Sequence, residues 1–517
     1  MKIKIHDRAY ISYTIEDNKE NIDIDPIKLK LFHNDEFNES LVILKSPIRE
    51  SIIPAILILE GNKTFGKKKK FLYKCIPDNK CYPVFLVPYD IDIGFNKCNK
   101  NKYVLIRFYE WSNDHPIGTI TESIGDVNNI KSFYEYKLYV KSLHLSIKEI
   151  TQKTNIIVKK NTNIIQEIKE KSIFINQNSH EKQPYIFSID PENSVDFDDA
   201  ISIVNNCVTV YLANVFMMLE YLQLWNSLSD KVSTIYLPDR KRPMLPPILS
   251  DNLCSLIENQ ERLAFSISFY FDQNNNQINE MTEIKNVTIN VDKNYSYDNV
   301  STDKNYKLLF DLTKKLDDNV SDSHEVIAFW MIYTNKYCAD YMIPHKNGIF
   351  RTNIEYILYN DNVSLKHGVM GIDSYIHITS PIRRLVDLIN QAIIFKNLYP
   401  NLLSYQAIDF INKWTNRLEF INYSMKTSKK IQNECFMVHS CFTYPNIMNE
   451  SHEGVISEKE ELSDNRFSYM VYLQNLKLYY RIKCNIDVSN NSKHKFDLFL
   501  FHKEEHTKEK IKLRFSF

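Results

Sequence analysis

Residues 188–202 read SIDPENSVDFDDAIS, which places aspartates at 190, 196, 198 and 199 directly ahead of an apolar strand pattern. Between Lys182 and Lys231 there is no Lys, Arg or His, so no cation close in sequence can neutralise Asp190, Asp196, Asp198 and Asp199. Crowded carboxylates raise one another's pKa, and burying them unpaired is costly, so a divalent cation is a natural counter-charge. Oxygen ligands without His or Cys favour magnesium, with manganese as its substitute, over zinc. Such an ion can deprotonate and orient water for attack on phosphorus, and a second ion roughly 4 Å away can stabilise the leaving oxygen. The same residues also suit a plainer role, DPENS as an acidic turn and the Asp198-Asp199 pair as a cap. The spacing lacks the glycine and distal Glu of a calcium-binding loop.

Two further stretches carry chemistry. In HITSPIRRLVDL, Thr379 or Ser380 is the expected helix cap, with Pro381 at the first helical position. That assignment puts Arg383 and Arg384 in the first turn, where the helix dipole disfavours cations unless an anion such as phosphate lies between them and the exposed amides. The alternative is a surface bridge from Arg383 to Asp387 in the poorer i, i+4 orientation. The stretch STIYLPDRKRPMLPPILSDNLCSL carries Tyr236 beside Arg240, Lys241 and Arg242 in a loop stiffened by proline. A tyrosine presented near cations suits base stacking, although most of the 32 tyrosines must serve core or interface packing.

The elements that position these residues follow from periodicity. AISIV, Asn205-Asn206 and CVTVYLANV read as strand, turn and strand, followed by a helical stretch, MMLEYLQLWNSL. The aspartates therefore sit on a loop entering a sheet. HEVIAFWMIYTNKYCADYM and PIRRLVDLINQAIIFKNLY have helical spacing, which makes the centre α/β. Residues 1 to about 128 alternate short β runs with turn signals, as two consecutive small β domains would. Residues 129–182 read as a connecting helix and a polar linker, and the text after about 446 alternates again, as expected of a closing small barrel.

The totals bound the rest. A chain of 517 residues with 44% apolar residues should fold into several domains. Its 64 Lys plus Arg balance 64 Asp plus Glu, so a nucleic-acid partner would have to be held by local patches; GKKKK at 66–70 is one candidate, although a single run of this kind is more often a solvated loop. Nine cysteines without a C-x-x-C pair suggest neither a zinc site nor a disulfide framework, so a cytoplasmic or other reducing intracellular setting is expected. MKIKIHDRAY lacks the apolar core of a signal peptide, and no run of about 18 apolar residues could span a membrane.

Taken together, DPENSVDFDDA, PMLPPILSDNLCSL and HITSPIRR resemble, in order, the motifs of the ribonuclease II family catalytic domain, also called the RNB domain. The resemblance spans 183 to about 445. HPIGTITESIGDV at 115–127 is similar to the segment leaving the family's second cold-shock-type domain. It implies a multidomain α+β fold, with a central mixed α/β RNB domain flanked by OB-fold barrels. The expected divisions are a divergent β domain (1–54), a cold-shock-type OB-fold (55–128), helix and linker (129–182), the catalytic domain (183–445) and a C-terminal RNA-binding OB-fold (446–517).

The implied activity is processive, magnesium-assisted hydrolysis of single-stranded RNA from the 3′ end to nucleoside 5′-monophosphates by a monomeric enzyme without membrane contact. The resemblance makes Asp190 and Asp199 direct metal ligands, with Asp196 supporting the metal site, and makes Asp198 the aspartate most critical to cleavage, as a metal ligand or by positioning the water. Tyr236 would stack on the 3′-terminal base, Arg383 would hold the scissile phosphate, and Arg384 would contact the adjoining RNA backbone. Two departures stand out. Asn214 occupies a place where the family usually has Asp, and Ala328-Phe329 stand where a Glu-Glu pair is common. The alternatives are an RNA-binding protein whose nuclease site has decayed and a magnesium-dependent DNA nuclease.

Overall fold

A computed structural model describes the chain except for residues 17–23, 91–98, 162, 172–183, 273, 275–281, 353–357, 362–373, 463–465, 503–508 and 517. The chain divides into two compact units, one of residues 145–236 and 240–429, the other of residues 1–144, 237–239 and 430–517.

The first of these units is built on a six-stranded sheet. Its strands are β1 (Phe187–Asp190), β2 (Asp199–Val204), β3 (Cys207–Ala213), β4 (Glu261–Tyr270), β5 (Glu283–Asn290) and β6 (Lys293–Ser296), in the spatial order β5-β4-β3-β2-β1-β6. All neighbours are antiparallel except β1 and β6, which run parallel with Asp190 opposite Ser296. Asn205 and Asn206 turn β2 into β3 with φ of 47° and 61°, the left-handed pair that a two-residue hairpin needs and that Asn tolerates. From Val208 to Ala213, β3 is buried at every position, so its apolar run is that of a central strand covered on both faces.

Helices Lys304–Leu316 and Ser323–Met342 are capped by Asp303 and Asp322, whose carboxylates accept from backbone N–H groups in the first turn. Helix Leu385–Leu398 is buried from Leu385 to Phe395, and its Gln391 Nε2 donates to the Ala213 carbonyl at 2.9 Å, tying it to the end of β3.

The helix after the double arginine starts later than its sequence suggests. Arg383 and Arg384 N–H groups both reach the Ser380 carbonyl in a turn, at 3.3 and 3.0 Å, and Arg384 is extended (φ −131°, ψ 125°). The backbone is drawn out of the helix by a bridge to the segment before Tyr236. Thr234 N–H donates to the Arg383 carbonyl and Leu385 N–H to that of Val232, each at 2.9 Å. Neither arginine lies in a helical turn, so the dipole argument for an anion does not apply to them.

The stretch expected to be a polar linker is also more ordered than its composition implied. Beyond Ile130–Val140 it forms helices Lys148–Lys160 and Ile164–Lys171, because Ile150, Ile164, Ile165 and Ile168 recur at helical spacing and enter the core. The expected start of the catalytic domain at 183 lies outside the described residues.

In the other unit, strands Ile53–Leu57, Leu72–Pro77, Phe85–Pro88, Lys102–Glu110 and Ile117–Asp126 close into a barrel. The four short strands before it, within residues 2–45, form their own sheet but not their own core. Ile3, Ile5, Phe32 and Phe37 share one cluster with Phe85, Val104 and Ile106, and Phe32 stacks on Phe85 with centroids 5.9 Å apart. Strands of two to four residues bury too little surface to stand alone. The C-terminal strands, from Ser451–Glu461 to Glu509–Phe515, form a five-stranded antiparallel sheet that is open among the described residues, where a closed barrel was expected. No helix among the described residues is long and apolar enough to cross a membrane.

Candidate active site

Asp190 ends β1, Asp199 begins β2, and Asp196 and Asp198 lie on the connecting loop. That loop is held by the CSL segment. Phe197 N–H donates to Ser255 Oγ and Ser255 Oγ donates to the Val195 carbonyl, each at 2.9 Å, while Leu256 N–H donates to the Phe197 carbonyl at 3.0 Å. Ser255 is fully buried, so these bonds compete with no water.

The four carboxylates separate into two groups. Asp198 is taken by the arginine turn: Ile382 N–H donates to Oδ1 at 2.8 Å and Arg383 Nε to Oδ2 at 3.0 Å. Burial pushes the Asp198 carboxyl up to about 7 against the opposing pull of Arg383. The Arg383 guanidinium, although burial works to lower it, is held above its ordinary value by that carboxylate. A guanidinium is not deprotonated in proteins, so Arg383 brings a fixed positive charge to the Asp198 carboxyl. Asp196 is also paired. Lys241 Nζ lies 3.0 Å from its Oδ1 and the Tyr236 hydroxyl donates to its Oδ2 at 3.1 Å. The cations missing from the local sequence thus arrive from 45 and 185 residues away.

Among the described residues no cation bonds directly to Asp190 or Asp199. Burial pushes the Asp190 carboxyl up to about 6, and its Oδ2 is buried without a hydrogen-bond partner. Burial and then the charges of Asp190 and Asp198 hold Asp199 well above the usual carboxylate range, with Arg383 and Arg384 acting weakly against them. Among the described residues no group of three or more His, Cys, Asp or Glu side chains is placed to hold a metal ion. A two-carboxylate site still fits magnesium, which commonly binds one or two carboxylates and completes its shell with water and phosphate oxygens. The orphaned Oδ2 of Asp190 is the feature that such an ion would satisfy.

Arg383 is anchored along one edge only, by Asp198 and by Nη2 donating to Ser380 Oγ at 3.0 Å, and its side chain is 46% exposed. That leaves a guanidinium able to meet a phosphate. Arg384 turns inward: its Nη2 donates to Oδ1 of the fully buried Asp387 at 2.8 Å, and the same oxygen accepts Ser380 N–H at 2.7 Å. Asp387 pairs with Arg384 and not with Arg383, and it fixes the turn that presents Arg383. Tyr236 sits in a two-residue hairpin opposite Lys241, with its ring half-buried.

Several residues here gave no sequence signal. Tyr297 is pushed up to about 12 by burial and by the charges of Asp199 and Asp190, and it stacks on His324 with centroids 3.6 Å apart. Nothing in its local text separates it from 31 other tyrosines. Asp251 and Ser255 stood inside the segment PMLPPILSDNLCSL without an assigned role, and Lys241 was placed only beside Tyr236, not at the aspartates. Asn214 caps helix Val215–Tyr221 through Met217 N–H at 3.1 Å and donates to Asn286 Oδ1 at 2.8 Å, a bond that an ionised Asp could not make. Ala328 and Phe329 lie on helix Ser323–Met342, where Phe329 stacks on Tyr333.

The RNB domain family matches residues 180–307 and 350–400. The chain is 28% identical over 275 residues to ribonuclease R of Aquifex aeolicus, covering 50% of this chain and 36% of that protein. It is 29% identical over 183 residues to DIS3-like exonuclease 2 of Schizosaccharomyces pombe, covering 34% and 19%. The matches therefore span little more than a third of these relatives' length, or less. Among solved structures, the apo form of Mycoplasma genitalium RNase R shares the fold with a TM-score of 0.63 at 15% identity, over 88% of each chain. That protein is also solved in complex with single-stranded and with double-stranded RNA. Yeast Ssd1, described as a pseudonuclease, is similar with a TM-score of 0.57 at 13% identity, over 90% of this chain and 69% of that one.

Two predictions follow from this geometry. Ser255→Ala removes both bonds that hold the acidic loop and should lower stability by about 1–3 kcal/mol, read as a shift in the urea midpoint. Because the folded pKa of Asp190 is raised, the native state binds more protons than the unfolded chain between about pH 4 and 6. In chelator, stability should therefore fall as pH rises through that window. Asp190→Asn should flatten the decline, and an equally steep decline in the variant would refute the burial argument.

Proposed function

As a member of the RNB domain family, the chain is, we propose, a hydrolytic 3′-to-5′ exoribonuclease that degrades single-stranded RNA to nucleoside 5′-monophosphates. The observation that carries this reading is the half-buried Asp190–Asp199 pair, which no cation among the described residues bonds directly, within the electrostatic reach of the half-exposed Arg383 guanidinium. Acids without a counter-charge beside a cation with a free edge suit a metal and a phosphate together. Magnesium, held by Asp190 and Asp199, would supply activation of water and stabilisation of the leaving oxygen.

The protein's own groups have distinct tasks. Arg383 meets a non-bridging oxygen of the scissile phosphate and is kept in place by Asp198 and Ser380, so charge that develops on phosphorus finds a donor needing no reorientation. Asp198 acts as the holder of Arg383 and of the Ile382 N–H. Tyr236 offers its ring to the terminal base from the hairpin, and Arg384 supports the turn from within the core. RNase R of Mycoplasma genitalium, solved with single-stranded RNA, supports the choice of substrate.

A second reading, an RNA-binding protein without nuclease activity, is favoured by two facts. Asp196 and Asp198 are already engaged by protein cations, and the pseudonuclease Ssd1 shares the fold. The two readings part on labelled poly(A). Magnesium-dependent release of mononucleotides, abolished by chelator and by a 3′-phosphate block, supports the enzyme, and binding without release supports the alternative.

In that assay Asp198→Asn puts an amide where Arg383 needs an acceptor, and release should fall on the order of 10²–10³-fold with RNA binding largely kept. Tyr236→Ala should leave cleavage running but lengthen the last undegraded oligonucleotide, resolved on a sequencing gel. An unchanged end product would remove the tyrosine from the terminal nucleotide.

A further inference from the structure

Lys241 was expected as one of three cations beside Tyr236, and it lies within the acidic site. Its Nζ is 3.0 Å from Asp196 Oδ1 and 2.9 Å from Asp251 Oδ1, and its side chain is only 22% exposed, with Asp196 at 13% and Asp251 at 26%. It reaches these partners from the hairpin strand that pairs it directly with Tyr236. The second oxygen of Asp196 accepts the Tyr236 hydroxyl at 3.1 Å. Asp251 is itself held by Ser250 Oγ at 2.5 Å. Burial works to lower the ammonium, but Asp251 and Asp196 outweigh it and hold it above its ordinary value.

We propose that Lys241 is a positioning residue that withdraws Asp196 from metal binding and makes it the anchor of Tyr236. Both carboxylate oxygens of Asp196 are spoken for, one by an ammonium and one by a phenol, so coordinating an ion would require breaking an ion pair partly shielded from water. A shielded pair resists this far more than an exposed one. Lys241 therefore leaves Asp190 and Asp199 as the ion's carboxylates. Through Asp196 it also fixes the direction of the Tyr236 ring, and with it the shortest RNA that the site can hold. The inference rests on the nuclease reading above and adds to it the division of the four aspartates between two tasks.

The test uses the full chain and two readouts. Manganese binding is followed in the absence of RNA by the electron paramagnetic resonance signal of the free ion, and the final product of a 5′-labelled single-stranded RNA is measured on a gel. Lys241→Met frees Asp196, so manganese should bind more tightly, on the order of tenfold, while the end product lengthens by at least one nucleotide. Lys241→Arg should restore both values, and Lys241→Gln serves if the methionine variant does not fold. Weaker or unchanged manganese binding in Lys241→Met, or an unchanged end product, overturns the proposal. A wild-type protein that binds no manganese overturns it as well, and the metal reading beneath it.

Discussion

Four carboxylates share one loop and the strand ends beside it, and among the described residues a protein cation bonds directly to only two of them. That imbalance organises the unit. Asp196 and Asp198 have lost their freedom to Lys241 and Arg383, whereas Asp190 and Asp199 keep negative charge, or protons, in a place where burial favours neither water nor ions. A site that leaves this pair unpaid by its own side chains is poised for a cation from solution.

The supports around the site are mostly neutral hydrogen bonds. Ser255 holds the acidic loop through two main-chain groups, and the Ser380 carbonyl, hydroxyl and N–H all serve the turn that carries Arg383. Behind that turn one buried ion pair, Arg384 with Asp387, occupies the core. Removing one partner of such a pair is far more damaging than replacing both, because a lone buried charge remains. The arginine motif is thus two residues with opposite orientations: one keeps a solvent-exposed edge and its neighbour faces inward to hold the backbone.

The parts of the fold set by local chemistry were legible in the text. The β2–β3 hairpin followed from Asn205-Asn206 between apolar runs, and the placement of the aspartates at a strand entrance followed from it. The helix Ser323–Met342 was visible in its spacing. What could not be read was pairing across long separations. The absence of cations near the aspartates was real in sequence, but Arg383 is 185 residues from Asp198 and closes that gap only when the sheet and the buried helix are assembled. The start of helix Leu385–Leu398 was missed for a related reason, since a backbone bridge to Ser233 competes with the first helical turn. The residues before the barrel looked like a separate domain because alternation reports strands and says nothing about whose core they fill.

The division among the aspartates bears on what it means for a motif to be retained. A residue can keep its identity while its oxygens are reassigned, so the presence of all four aspartates does not fix how many hold an ion. Coulomb attraction between unit charges about 3 Å apart and partly shielded from water amounts to several kcal/mol, which an ion displacing the ammonium would have to replace. An ammonium tethered to the same hairpin as Tyr236 has the advantage of high local concentration, and its bond has a second consequence that a free ion would lack: it couples the charge balance of the acidic loop to the orientation of an aromatic ring. In the proposed division, the half of the cluster left without a bonded cation would carry the chemistry, and the half that is neutralised would be architecture.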